Sequence, residues 1–507
     1  MTEPVVGIRH IRDEVEILPT LGAEMSVVGI VGTAPDANAE TFPLNTPVYL
    51  TSNQGSLVAA LGLAGTIPDA ISGVSAQLGV GQGAFRAVVV RVEEGEDVDE
   101  TIANIVGSES LGTGIWALLD AGVDLGVVPR INIVPGHTSQ FTSGLSTLTL
   151  ATQGSNLTEA PTVGFTGGGS DPGKVLPTAH AVLGTGDSAD KVVSLVIDTP
   201  GKNLSGSITV TFTGGGSEAG KALPTATAAI GALANPVIAI APTILDRLRG
   251  VLIADGPSGT RQSWIDWRET IQSDRIIPLC VDVKVLDAQG NIVTRPSSPR
   301  IAGIAVRRDH EFEGRPFHSW ANQAVRGIVG ASRPIPFSLT DGAYEGQELI
   351  GLNGGIIVKG EAGIEDALAE GGFVYWGTDT CSEDPLWQFY HIVRGRDYIE
   401  LSQIKALRYY LGRYNITLQT VNAILGTIES FLSSLKVNGD LLGYRVGFEP
   451  DANSPEDLRQ GYLQVMFRAE EPPVLRKVTI SSRRYRDALN DLANTIAVQL
   501  ASGTTTA

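Results

Sequence analysis

Of 507 residues only two are cysteines, Cys280 and Cys381. They make no CxxC pair and no disulfide framework. Synthesis in a reducing cytoplasm is the expectation that follows. Both thiols are then either reduced core residues, or they pair within or between chains once outside the cell. Histidine is also scarce: six are scattered along the chain, with no HExxH and no GxSxG. Neither a zinc-hydrolase nor a nucleophile-elbow arrangement is present. Basic residues are in deficit, 37 Lys and Arg against 55 Asp and Glu, for a net charge of −18. Nucleic acid and anionic membrane both demand basic surface, so neither is an expected partner. No apolar run approaches the roughly 18–20 residues of a membrane span, and no membrane insertion is expected. The opening MTEPVVGIRH has no basic stretch leading into an apolar one, so no signal peptide is read there. No cofactor is expected.

What is abundant is apolar residues and turn formers: 42% hydrophobic, 60 Gly and 27 Pro. The length suits about three domains of roughly 150 residues each. Val5, Ile8, Ile11, Val15 and Ile17 punctuate a charged, extended N-terminal stretch closed by Pro19. It reads either as an arm that needs a partner sheet or as an edge strand of its own domain. SVVGIVGT (26–33), AFRAVVVRV (84–92) and 130–134 read as buried strands, with short helices over 53–61, 67–78 and 114–121 between them. Strands alternating with helices predict βαβ units and a largely parallel sheet.

From about Thr138 to Gly231 charge falls and Thr, Ser and Gly rise. A repeat with a 47-residue offset runs through this section. Phe165-Thr-Gly-Gly-Gly-Ser170 matches Phe212-Thr-Gly-Gly-Gly-Ser217, and Gly173-Lys-x-Leu-Pro-Thr-Ala179 matches Gly220-Lys-x-Leu-Pro-Thr-Ala226. Two copies are too few for a solenoid and predict one small β domain built from related halves. Gly168-x4-Gly173-Lys174 and Gly215-x4-Gly220-Lys221 fit most of a phosphate-binding loop. Val175 and Ala222 stand where Ser or Thr should meet the metal, and no helix follows, so nucleotide binding is not expected. Asp309-His310-Glu311-x-Glu313 reads as a charged surface turn rather than a metal site.

Further on, Asn235-Pro236 predicts a helix start, with a kink or late start imposed by Pro242. Residues 251–254 and 276–285 read as strands, and Trp264, Trp267 and Ile271 share one helical face. Phe373–Trp376 reads as a buried strand; from Trp387 the spacing of Trp387, Tyr390, His391 and Arg394 is helical. Ile404, Leu407, Leu411 and Tyr414 define a helix, and Val421 to Leu435 another, stopped by Asn438-Gly439. Strands are expected over 442–448, 462–469 and 474–481. Tyr485, Leu489, Leu492, Ile496 and Leu500 outline a last amphipathic helix. Arg476, Lys477, Arg483, Arg484 and Arg486 are the one basic cluster, either a solvated face or a protein-contact patch.

Trp376, Gly377, Thr380, Cys381, Ser382, Asp384, Pro385, Leu386 and Phe389 form a WGxxTCSxDPLxxF pattern. It resembles the C-terminal core of contractile phage tail sheath proteins of the P2-like kind. SVVGIVGTA followed by ETFPLNTPVYLT resembles the same family's first strand and loop, and 303–327 resembles its middle segment, with Trp320 where many relatives have Pro. The resemblance covers roughly 20–137 and 235–500. It implies an α/β mixed core with βαβ units, an inserted all-β domain, and extended N- and C-terminal arms. The expected division is 1–20 arm, 21–137 core, 138–234 peripheral inserted β domain, 235–470 core continued, and 471–507 C-terminal strand, helix and arm.

By family implication this is a non-enzymatic subunit of a virion tail, assembled in the host cytoplasm. Hexameric rings stack helically around a tube and contract to drive it through the host envelope. The implied partners are the chain itself, the tail tube protein, and the baseplate and terminator proteins. Val5, Ile8, Ile11 and Val15, with Val474, Val478 and Ile480, are the expected inter-subunit strands. Arg483, Arg484, Arg486, Leu489, Leu492 and Ile496 are the candidate tube contact, and Cys280 with Cys381 a candidate disulfide. Two other readings stand beside it: the sheath of a non-phage contractile injection device, and a cytosolic α/β nucleotide-binding enzyme.

Overall fold

The computed structural model describes residues 22–78, 83–287 and 289–503. The arm candidates Val5, Ile8, Ile11 and Val15 lie outside the described residues. Val28–Thr33 (β1) has no exposed side chain. Pro47–Thr51 (β2), Gly55–Ala59 (α1), Thr66–Ser75 (α2) and Arg86–Val92 (β3) follow. Val98–Val106 (α3), a 3₁₀ segment over Gly114–Leu119, Ala121–Asp124 (α4) and Ile131–Ile133 (β4) complete the first part. Neither β2 nor α3 is among the sequence expectations. α3 carries only three buried residues, Thr101, Ile102 and Ile105, and starts from the Asp97 side chain, which accepts from Glu100 N.

Thr142–Thr152 (β5), Thr162–Gly167 (β6), Thr178–Leu183 (β7), Val192–Thr199 (β8), Ile208–Thr213 (β9) and Thr225–Leu233 (β10) are the strands of the repeat section. They form a four-stranded sheet, β8-β7-β6-β9, and a β10-β5 pair. β10 also lies beside β9, and β5 beside β8. Leu145, Leu157, Val163, Phe165, Val192 and Leu204 belong to a hydrophobic cluster confined to this section. Lys174 Nζ donates to the carbonyls of Gly167 (3.2 Å) and Gly169 (2.6 Å); Lys221 Nζ does the same at Gly214 (2.9 Å) and Gly216 (2.7 Å). A phosphate loop turns amide N–H groups inward. Here carbonyl oxygens converge on a cation, the opposite polarity.

Pro236–Leu248 (α5), Val251–Asp255 (β11), Arg261–Glu269 (α6) and Ile276–Leu279 (β12) return the chain to the core. The Asn235 side chain accepts from Val237 N (2.8 Å) and Ile238 N (3.4 Å), so α5 starts at Pro236 rather than late, and it continues past Pro242. The central sheet has the order β12-β11-β4-β1-β3-β2, parallel except for the β2–β3 pair. Near-continuous apolar strands suit it because helices cover both faces. Val283–Leu286 (β13) is a separate strand, not the end of one running 276–285. At Cys280 the chain leaves β11, its N–H passing to Gly355 O at 2.9 Å.

Ile292–Arg295 (β14), Ser298–Glu311 (α7), Gln323–Ala324 (β15), Gly330–Ala331 (β16), Glu345–Gly351 (α8), Ile356–Lys359 (β17) and Phe373–Trp376 (β18) follow. They supply two small antiparallel sheets, β14-β13-β16 and β15-β18-β17. α7 is locked to α2 by Arg300, bidentate on Asp69 at 2.7 and 3.0 Å. Tyr390–Leu407 (α9), Leu418–Val437 (α10), Gly443–Phe448 (β19), Pro455–Arg459 (α11) and Val465–Glu470 (β20) surround a second core. Tyr398, Ile399, Phe431, Leu432 and Leu435 are central to it. The helix expected from Trp387 begins at Tyr390, and the one expected through Tyr414 is the end of α9. Leu411 and Tyr414 are exposed beyond it.

The chain through Pro472 is one unit and Pro473 onward another. In the second unit residues 473–486 hold no strand or helix, and Asp487–Gly503 (α12) is helical. The strand expected over Val474–Ser481 is therefore absent. Its alternating residues Val478 and Ile480 are 66% and 85% exposed, and a strand needs a neighbouring strand to pair with, while no strand among the described residues pairs with this stretch.

Candidate functional site

The pattern at 376–389 folds as a turn that feeds α9. Asp384 organises it: its side chain accepts from Leu386 N at 2.9 Å, and its carbonyl accepts from Trp387 N. Thr380 N donates to Gln388 O at 2.7 Å, and Cys381 N to Ile276 O at 2.8 Å, which fastens the turn to β12. Gly377 admits no side chain, because a Cβ there would meet Tyr375 Oη and, at 2.8 Å, Gly355 Cα. Phe389 is the residue immediately before α9, and Pro385 lies at the exposed tip.

Tyr390 then acts as a hub. Its hydroxyl donates to Gly377 O (2.9 Å) and accepts from Trp320 N (2.7 Å). The Trp320 ring stacks on Tyr390 at 4.3 Å and 25°. Arg394, one turn on, places its guanidinium over Trp320 at 5.1 Å and grips Asp309 with both nitrogens, at 3.0 and 2.6 Å. It also donates to Met25 O, and Ser26 Oγ donates to Asp309. Arg394 and Asp309 are 1% and 2% exposed. Asp309 is thus no surface turn, as the sequence suggests; it is a buried anion at the end of α7. Residues from the start, middle and end of the first unit meet at this point.

A clamp fixes the last residues of that unit. Arg396 holds Glu471 at 2.9 and 2.8 Å and donates to Ala469 O, with its guanidinium 5.8 Å from the Trp387 ring and 5.7 Å from Phe467. His391 Nε2 donates to Pro472 O at 3.1 Å. Burial, with smaller contributions from the His318 and Arg394 charges and against the Pro472 hydrogen bond, lowers the His391 pKa to about 4. The unfolded chain titrates near 6.5, so between 6.5 and about 4 it binds more protons than the folded one. The stability His391 contributes is complete above pH 6.5 and is lost as pH falls toward 4, about 3 kcal/mol in all. Asp255 acts with the opposite sign. Burial raises it to about 6, so its cost to the fold lessens as pH falls below that value. We expect His391→Gln to flatten the acid limb of a urea-midpoint-versus-pH curve, with wild type and variant diverging between pH 4 and 6.5. Parallel curves would remove His391 from the acid response.

Cys280 and Cys381 are free and fully buried, and burial pushes Cys381 up to about 12 and Cys280 well above the ordinary thiol range. Ellman's reagent should therefore find no reactive thiol in the native chain and two after denaturation. Fast reaction of either in native protein would contradict this burial. Arg483, Arg484 and Arg486 precede α12, and Leu489, Leu492 and Ile496 on it are 66%, 53% and 46% exposed. Val474 lies in the same unit, half-buried. The sequence misses Asp309, Trp320 and Arg396 as hub and clamp members; the i, i+4 spacing of Tyr390 and Arg394 is the one signal that pointed there. Among the described residues no group of His, Cys, Asp and Glu is arranged to hold a metal ion, and no helix is long and apolar enough to cross a membrane.

No established family model matches the chain. It is 22% identical over 504 residues to the tail sheath protein of Escherichia phage P2, covering 97% of this chain and 98% of that one. It is 25% identical over 508 residues to the tail sheath protein of Burkholderia phage BcepMu, covering 93% and 95%. A putative prophage major tail sheath protein of Pseudomonas aeruginosa is 27% identical over 245 residues, a match spanning 48% of this chain and 60% of that protein. In structure, the contracted helical sheath of the anti-feeding prophage gives a TM-score of 0.54 at 14% identity, covering 96% of this chain and 100% of that one. The contracted sheath complex of the PVC extracellular contractile injection system gives 0.54 at 12%, covering 96% and 99%. The fold is that of contractile sheath subunits. The chain is a homologue of the tail sheath proteins of phages P2 and BcepMu over nearly its whole length.

Proposed function

We propose that the chain polymerises as stacked hexameric rings around a tail tube, and that contraction of this sheath drives the tube through the host envelope. The observation that carries the reading is the exposed second unit, an alternating stretch at 474–480 followed by an apolar helix face, on a chain whose β19–β20 ribbon has two strands among the described residues. A two-stranded ribbon is marginal in water by itself. A neighbour's 474–481 stretch and its N-terminal arm complete this ribbon by β-augmentation. Such head-to-tail contacts do not close and so generate a helical polymer. The α12 face with Arg483, Arg484 and Arg486 meets the tube, and baseplate and terminator proteins bound the two ends. The sheath is assembled in the host cytoplasm and ends in the virion tail. Work comes from re-pairing interfaces between near-rigid bodies, so nucleotide, metal and catalytic residues have no part in it. The likeness to the anti-feeding prophage and PVC sheaths favours a second reading, a non-phage injection device built from the same subunit.

Negative-stain images of the purified full-length protein test this. Rings or striated tubes are the expected result; a monodisperse monomer at high concentration contradicts it. Residues 138–234 are proposed to be a peripheral module, since their strands share a hydrophobic cluster of their own. Replacing 139–233 by a short linker should leave a soluble subunit that still assembles. An insoluble product would place the module in the core.

A further inference from the structure

The two 47-residue repeats do not fold side by side. β5 pairs with β10, β7 with β8, and β6 with β9, so each of these ladders joins one repeat to the other. Registers correspond residue for residue under the offset. Thr152–Thr225 is mirrored by Thr199–Thr178, Leu150–Ala226 by Ile197–Ala179, and Leu148–Ala228 by Leu195–Ala181. Both ladders break register at equivalent places, Thr225/Ala226 with Thr178/Ala179 and Ala229/Ile230 with Val182/Leu183. At the centre Val163 faces Phe212 and Phe165 faces Val210, the same pair run in the two directions of an approximate twofold. The loops obey it too: Asn156 and Asn203 are both left-handed, at φ 52° and 54°, and both lysines cap their own glycine loop.

We infer that the surface each repeat offers its partner is self-complementary, so that a repeat of one subunit pairs with a repeat of a second copy of this chain. The chemistry is unchanged by the exchange. Repeat 1 against a second repeat 1 again places Val163 opposite Phe165 and Thr162 opposite Thr166. Along the flanking ladder Leu148 and Leu150 meet Ala181 and Ala179 instead of Ala228 and Ala226. An isologous, twofold surface of this kind makes a closed dimer. The module is a tethered dimer, and exchange of halves between neighbouring subunits would link them independently of any arm.

The test uses the full-length chain. Val210→Asp with Phe212→Asp breaks repeat 2, while Thr162→Cys and Thr166→Cys put thiols where a second repeat 1 would face them; the native cysteines are buried. A short bismaleimide should then give covalent dimers as the main band, lost when repeat 2 is left intact and lost when Val163→Asp and Phe165→Asp are added. As a second arrangement, the Thr162→Cys chain with repeat 2 broken is mixed with a Thr213→Cys chain whose repeat 1 is broken. A hetero-linked pair is expected. Links in neither arrangement, with the circular dichroism of the body unchanged, would overturn the inference, as would equal linking when both repeats are broken.

Discussion

Deleting residues 473–507 should leave a folded subunit of about the same secondary structure that sediments as one small species, where the full chain of 53.2 kDa is expected to form polymers. Among its described residues the stretch removed makes no strand and exposes Leu475, Val478 and Ile480 at 75%, 66% and 85%, so the fold of the first unit loses little with it. Assembly, if it depends on strand exchange, loses its main-chain ladder. Removing residues 1–18, or placing Pro at Ile480 to delete one N–H donor, should act in the same direction. Circular dichroism and sedimentation velocity together decide it. Truncated protein that still forms normal tubes would eliminate augmentation as the assembly mechanism.

The second large effect falls on the hub. Asp309→Ala strands the Arg394 guanidinium, 1% exposed, without its carboxylate. Loss of one partner of a buried pair costs about 3–5 kcal/mol. A fall of this size in the urea unfolding free energy is expected. Replacing both, as Asp309→Leu with Arg394→Met, should recover most of it, because no uncompensated charge remains. A single variant as stable as wild type would show that the pair is not what joins α7, α9 and the entry to β1.

The parts of this fold that repeat a pattern are legible without coordinates. β1, β3 and β11 are apolar runs, and the duplicated glycine loops announce two related halves by identity alone. α7 is not legible. Its sequence, SPRIAGIAVRRDHE, buries Arg300, Arg307 and Asp309 alongside Ile301 and Ile304, so no polar face marks it as a helix. Those charges are internal because each finds a partner far away: Arg300 on Asp69, Arg307 on Gln77 O, Asp309 on Arg394, 85 residues on. Spacing cannot disclose such pairings. The same holds for the hub, where Tyr390 and Arg394 stand out by their i, i+4 separation but Trp320 and Asp309 do not. The 474–481 alternation reads as a strand, yet alternation specifies only a face, and the ladder must come from elsewhere.

The clamp on residues 469–472 sets a load path. At its end two consecutive prolines, Pro472 and Pro473, leave little backbone freedom. Tension on the chain past that point enters the body first at the His391–Pro472 and Arg396–Glu471 contacts, both rooted on α9. From α9 it passes through Tyr390 and Arg394 to Gly377, Trp320, Asp309 and Met25. A pull on the tail is therefore expected to load α9 and the hub before it peels β20 from β19.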